Sequence, residues 1–385
     1  LDRQMTPISM LMWDQQSTAQ QQLVEAVFGA VNEWLQLPRM RESNLAVAWQ
    51  HGQPVALSIM CHDRVRVGSA LVDVATVRHT HFTNDTNDVL VELIMYQAQS
   101  FLEEGIGIVM IKGDIAYWSQ YGFAPISMDV ETRWTTPPTL RADEPGRVRI
   151  GVLTPAECEL VRGIQMGSAD TQCVEYVDFA QPTALPWVKL VGRDGQLHAA
   201  AQCTAHVNSV VVRRAVASDD GAAYDLVSAL LNYAASRELV IQLPQAHALT
   251  RMAQEHRAIT RVSTSRAHSL MAGVIDLPTM LHALTPAFRQ RIAASQYATW
   301  NGGVRVEIRD ERAMIMVKDT TVTIIDGTRE ASVRLKHVEV PALAQMAFGY
   351  RSIGALRKMG MLYCDDTELP LCEVLFPGLA STLDV

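Results

Sequence analysis

The chain has 385 residues, 48% of them hydrophobic and 19% charged, which is too long for one ordinary core and apolar enough to offset chain entropy over most of its length. Its 33 Lys and Arg are outweighed by 41 Asp and Glu, for a net charge of −8, and no Lys/Arg run exceeds two residues. A nucleic-acid partner, bound by releasing counterions onto a basic surface, is excluded on those terms.

The six cysteines, Cys61, Cys158, Cys173, Cys203, Cys364 and Cys372, form no CxxC pair, and a chain of this size needs no disulfide staples, so a reduced, cytoplasmic setting is expected. The first dozen residues lack the layout of a signal peptide. No apolar run approaches the roughly 18 residues that cross a bilayer, so no membrane partner is expected.

In chain order, Leu23, Val24, Val27, Phe28, Val31 and Trp34 lie at three- and four-residue spacing, which predicts a helix over 18–34. Strands follow at 46–50 and 55–61 around the turn His51-Gly52-Gln53-Pro54, then at 65–67 and 70–77. Residues 84–104 read as a helix with Leu90, Leu93, Ile94, Ala98 and Phe101 on one side, stopped by Gly105. Ile106 to Ile111 is a buried strand and Ile115 to Tyr121 a short helix before Gly122-Phe123.

The stretch 134–146, with three prolines and no apolar periodicity, is expected to be a linker. A second break is placed at 273–278. These give domains at 1–140, 141–273 and 274–385. The second repeats the order of the first: a strand at 148–151, then Thr154-Pro155-Ala156-Glu157 as a capping-box helix start. A hairpin at 187–191 and 197–205, a strand at 207–214, a helix centred on Leu226 to Leu231 and a strand at 239–243 complete it. The third runs from helix 279–293 through strands at 304–308, 313–318, 321–325 and 333–340 to helices from Pro341, Ser352 and about Leu371, an α+β order.

The strand 71–80, the helix from Asn84, the Gly105 stop, the strand 106–111 and Ala116-Tyr117-Trp118-Ser119-Gln120-Tyr121-Gly122-Phe123 together resemble the core of a GCN5-related N-acetyltransferase, which ends in Phe-Tyr-x-x-x-Gly-Phe. With a second degenerate copy and the C-terminal Phe348-Gly349-Tyr350-Arg351-Ser352, the chain is similar to the enhanced intracellular survival (Eis) acetyltransferases. The resemblance implies an α/β (α+β) architecture: tandem acetyltransferase-fold domains with mixed central sheets, then a sterol-carrier-protein-like domain. It implies acetyl transfer from acetyl-CoA to a small-molecule or peptide amine, and a homo-oligomer, a hexamer by analogy with the family.

It also implies roles for residues. Amides near Arg78, His79 and Thr80 would hold the pantetheine arm. Thr86, Asn87, Asp88, Val89 and Leu90 would form the diphosphate cradle at a helix start. A C-terminal carboxylate, here that of Val385, would take the amine proton. This sequence departs from the family at three points: Asp85 and Asp88 replace the expected Arg and Gly, and Trp118 replaces the general-acid Tyr. A carboxylate about 4 Å from a phosphate oxygen costs about 1 kcal/mol in water and about 4 at an intermediate dielectric. An indole holds its proton, so Tyr117 or Tyr121 would have to stand in. The alternative is that Asn84 or Asp85 caps the helix while Asp88 favours its positive end, and that the chain is a catalytically degenerate scaffold or ligand-binding protein.

Other constellations are weaker. His79 and His81 share a strand face with no third metal ligand at recognisable spacing, so no metal is expected. No nucleophile elbow, zinc-peptidase, P-loop or dinucleotide motif occurs. Met10, Met12, Trp13, Phe28, Trp34 and Phe82 would either line an amine pocket or pack as core, and Met346, Phe348, Tyr350, Leu356, Met359 and Met361 would either enclose a lipid-like ligand or pack as core.

Overall fold

The computed structural model describes residues 8–29, 31, 44–83, 87–126, 129–134, 147–167, 174–175, 186–192, 195–244, 247–255, 258–262, 269–309 and 311–378. Its first sheet is built from β1 (Ser9–Met12), β2 (Leu45–Gln50), β3 (Gln53–Val67), β4 (Ala70–Phe82), β5 (Ile108–Gly113) and β6 (Ala124–Pro125), with β9 (Val174–Glu175), from later in the chain, antiparallel to β3. His51 and Gly52, at φ +53° and +72°, make the tight turn that joins β2 to β3.

The two strands expected at 55–61 and 65–67 are one, because the polar residues between them find partners across the ladder. His62 and Arg64 reach Asp73 of β4 at 2.7 and 2.8 Å, and Asp63 turns inward. Helix α1 (Thr18–Phe28) stops short of Trp34, since Gly29 adopts φ +79° and its N–H bonds Glu25 O at 2.9 Å.

Helix α2 (Asn87–Glu103) covers one face of this sheet, with Leu90, Ile94, Ala98 and Phe101 packed on Met60, Ala75, Val77, Val109 and Ile111. Alternation along the strands sends Val72, Val74, Ile108 and Met110 to the other face. There they meet Leu281, Leu284 and Phe288 of a later helix, Leu277–Ala293, in a single core shared with the C-terminal region.

A short helix, α3 (Ile115–Trp118), follows β5. The second sheet runs β14-β7-β13-β12-β11-β10-β8, from β7 (Asp129–Trp134), β8 (Arg147–Gly151), β10 (Trp187–Val191), β11 (Leu197–Ala205), β12 (Ser209–Ala217), β13 (Glu238–Pro244) and β14 (Ile259–Val262). Helix α4 (Pro155–Gly167) covers one face, and α5 (Asp220–Ala234) with α6 (Ala248–Glu255) covers the other. The start of α4 is the expected capping box, Thr154 N–H to Glu157 Oε2 at 2.8 Å and Glu157 N–H to Thr154 Oγ1 at 3.2 Å.

The sheets exchange strands across the divisions read from the sequence. β7, at the edge of the expected linker, pairs with β13 and β14 of the second sheet. After β14 the chain returns, and β15 (Ser269–Val274) inserts between β5 and β6 of the first sheet. Of the expected linker, 135–146 lies outside the described residues.

The C-terminal region packs α7 (Leu277–Ala293) against the sheet of β16 (Gly302–Ile308), β17 (Glu311–Lys318), β18 (Thr321–Asp326) and β19 (Val333–Leu335), followed by α8 (Val340–Ala347), α9 (Ile353–Lys358) and α10 (Leu369–Leu375). β19 is shorter than the strand expected to 340, because His337 at φ +52° turns the chain. Met346, Phe348 and Leu356 are buried in the shared core and Met359 is exposed, so these residues pack rather than enclose a cavity. Among the described residues no helix is long and apolar enough to cross a membrane.

Candidate functional site

Among the described residues β4 and β5 are the one parallel pair in the first sheet, and they pair only from Ala75↔Val109 to Val77↔Ile111. Beyond that point each strand follows its other neighbour: β4 continues with β3 to Phe82, and β5 with β15 to Gly113. The two strands splay. A bulge marks the branch, since Ile59 pairs with His79 and Met60 with Val77, leaving Arg78 as the extra residue.

A cleft of ≈ 530 Å³ occupies the splay. Arg78, His79, Thr80 and Phe82 line one wall, Ile111, Lys112 and Asp114 the other, and Leu90 of α2 with Tyr117 and Trp118 closes the end. Of the residues assigned to the cofactor by resemblance, Arg78, His79, Thr80 and Leu90 therefore meet at one place. Asn87 and Asp88 open α2, while Val89 packs away from the cleft beside Met12, Ala46 and Ala56. Asn84, Asp85 and Thr86 lie outside the described residues, as does Val385.

The local chemistry is specific. Arg78 Nη2 donates to Asp63 Oδ2 at 2.5 Å, and the Asp63 side chain is only 3% exposed, so this guanidinium is anchored behind the strand. His79 and His81 share a hydrogen bond, Nε2 to Nε2, of 2.9 Å. Burial, and then the neighbouring His81, hold His79 below the usual imidazole pKa. No cluster of three or more metal-ligating side chains occurs among the described residues.

Asp114 caps α3 by accepting the Tyr117 N–H at 3.0 Å, which sets the rotation of that turn. Trp118 then faces inward, 6% exposed, with its ring 5.5 Å from Phe123. Gly113 makes room for it, since a Cβ there would lie 2.3 Å from the indole Nε1. Tyr117 lines the cleft beside it. Tyr121, whose ring is 5.4 Å from that of Tyr117, donates its hydroxyl to Asp88 Oδ1 at 2.7 Å. Burial, with Tyr121 and Asp88 nearby, pushes the Tyr117 phenol well above its ordinary pKa, so it keeps its proton at any working pH.

The aromatic set read as a possible amine pocket does not converge. Trp13 packs with Phe28 against β2 and β3, Met10 and Met12 lie in the small cluster around Leu93, and Trp34 is outside the described residues. Of the described residues in that set, only Phe82 lines the cleft, and it is 48% exposed. Two contributors escaped the sequence reading: Asp63, and Tyr121 as the partner of Asp88. Asp63 was detectable, because it shares the inward parity of Cys61, Val65 and Val67 on β3.

A splayed parallel pair with a bulge at its branch, inside a mixed sheet flanked by helices, defines the GCN5-related N-acetyltransferase fold. The whole chain is similar to crystal structures of such proteins. For the GCN5-related N-acetyltransferase from Anabaena variabilis the TM-score is 0.71 at 13% identity, covering 97% of this chain and 98% of that one. For the one from Kribbella flavida it is 0.67 at 14% identity, covering 97% and 96%. Eis1 from Mycobacterium abscessus gives 0.66 at 17% identity, covering 96% and 97%. No family model and no curated protein matches the sequence.

Proposed function

We propose that the chain is an Eis-like N-acetyltransferase that binds acetyl-CoA in the β4/β5 splay and passes its acetyl group to an amine. The observation that carries this reading is the splay itself, with backbone of Arg78 to Thr80 released from β5 and Tyr117 at its closed end. Polar backbone freed from a ladder needs partners, and the amides of a pantetheine arm supply them.

In this reading the neutral amine attacks the thioester carbonyl, the C–S bond breaks, and the coenzyme leaves as a thiol. The proton for sulfur comes from Tyr117, which takes the place that Trp118 cannot fill. The amine proton passes to the terminal carboxylate, that of Val385 where the chain ends there. The third region serves, as in the sterol-carrier-like domain of the family, to place that tail, and the molecule assembles as a homo-oligomer in the cytoplasm.

A degenerate, non-catalytic reading is favoured by Asp88, which keeps a carboxylate in the first turn of α2 where a diphosphate would approach. Calorimetric titration decides between them. Micromolar binding of acetyl-CoA, with thiol release on adding a primary amine, is the expected result. Absence of binding at millimolar coenzyme would reverse the choice.

A further inference from the structure

Outside the residues that line the cleft, two cysteines touch. Cys364, in the turn between α9 and α10, and Cys372, on α10, have their sulfurs 3.7 Å apart, and both are fully buried. A disulfide requires contraction to about 2.05 Å, a movement that side-chain rotation alone can supply between thiols already in contact. We propose that Cys364 and Cys372 form a redox-active dithiol that a hydroperoxide converts to an intramolecular disulfide.

The chemistry assigns different tasks to the two. The contact of the two sulfurs holds the Cys364 thiol below the ordinary range and raises that of Cys372. Cys364, set in the turn between exposed Tyr363 and Asp365 rather than on the helix, is the attacking thiolate. Its sulfur takes the terminal oxygen of the hydroperoxide, the O–O bond breaks, and water or an alcohol leaves after protonation. Cys372 then attacks the resulting sulfenic sulfur, the S–O bond breaks, and a second water departs with the Cys372 proton. Two thiols and one hydroperoxide thus give one disulfide with electrons balanced.

Access comes through the turn. Tyr363 is 46% exposed and Asp365 is also exposed, so Cys364 lies one residue from solvent on either side. The backbone of this turn is held by the reciprocal Lys336–Tyr363 pair at 2.9 and 2.8 Å. Opening such a short irregular segment costs less than unfolding the core. Once closed, the disulfide ties α10 to the turn. Leu375 of that helix also accepts from Arg291 at 2.6 Å, so the end of α10 is held to both α7 and the turn.

The test treats the folded full-length chain with hydrogen peroxide and maps thiols by mass spectrometry after alkylation in denaturant. The expected result is loss of two alkylatable thiols and a cross-linked pair of peptides containing Cys364 and Cys372. In Cys372→Ser, which cannot resolve the intermediate, Cys364 should trap dimedone. Met359, 52% exposed, acts as dosimeter. Both thiols surviving after Met359 is converted to sulfoxide would overturn the proposal, as would a disulfide that pairs either residue with another cysteine. Phenylarsine oxide gives an independent readout: it should bind the native reduced protein and lose that binding in Cys364→Ser, and equal binding in the variant would also count against the dithiol.

Discussion

Two residues decide whether the splay works as a thioester site. Tyr117 has its proton secured by burial, and a phenol so placed can donate to a departing sulfur but cannot act as base. Tyr117→Phe should lower kcat about 100-fold, at the low end of the general-acid range, with little change in KM for acetyl-CoA, as measured by thiol release. Asp88 acts in the opposite sense. It accepts the Tyr121 hydroxyl on one oxygen and places its carboxylate in the first turn of α2. Asp88→Asn retains the acceptor and removes the charge, so coenzyme affinity should improve about five-fold, equivalent to about 1 kcal/mol, in calorimetric titration. Unchanged affinity would show that the carboxylate lies outside the reach of the diphosphate. The Trp118 substitution was plain in the sequence, but its inward rotation was not, since that depends on the Asp114 cap and the space left by Gly113.

At the scale of elements, the clearest pH dependence belongs to a helix cap. His247 precedes α6: its Nδ1 accepts the Leu249 N–H at 3.2 Å, while its Nε2 donates to Ala215 O at 3.0 Å. That pattern requires the neutral ring, and burial pushes its pKa down to about 4. The unfolded chain takes up the proton near the ordinary value of about 6.5, so between 6.5 and 4 the unfolded state binds more protons and stability falls as the pH drops. The loss should be about 2 kcal/mol once the partial exposure of the ring is allowed for. In His247→Asn, which caps without titrating, the acid limb of a melting-temperature profile should flatten. Long apolar periodicities such as those of α2 and α5, and the capping box of α4, were legible in the sequence because helix signals are local. β1, β7 and β15 were not, because short strands are defined by distant partners such as Trp49 for Ser9 or Gly113 for Ser269.

On the scale of the molecule, α7 lies between the first sheet and the C-terminal sheet, and Phe288 is fully buried where both meet, 5.1 Å from Phe376. Phe288→Ala should cost about 3 to 5 kcal/mol. Because the core is shared, denaturant curves followed at the first sheet and at the C-terminal sheet should move together. Independent shifts would indicate two separable cores. The exchange of strands could not be read from the sequence, since no local signal tells β7 to join the later sheet or β15 to join the earlier one. That exchange sets an order on synthesis. The ribosome delivers β5 long before residue 269 emerges, so one edge of the first sheet waits bare while the entire middle lobe is made. Vectorial folding is thereby reversed: the central lobe closes first, and the first sheet is sealed only when β15 arrives.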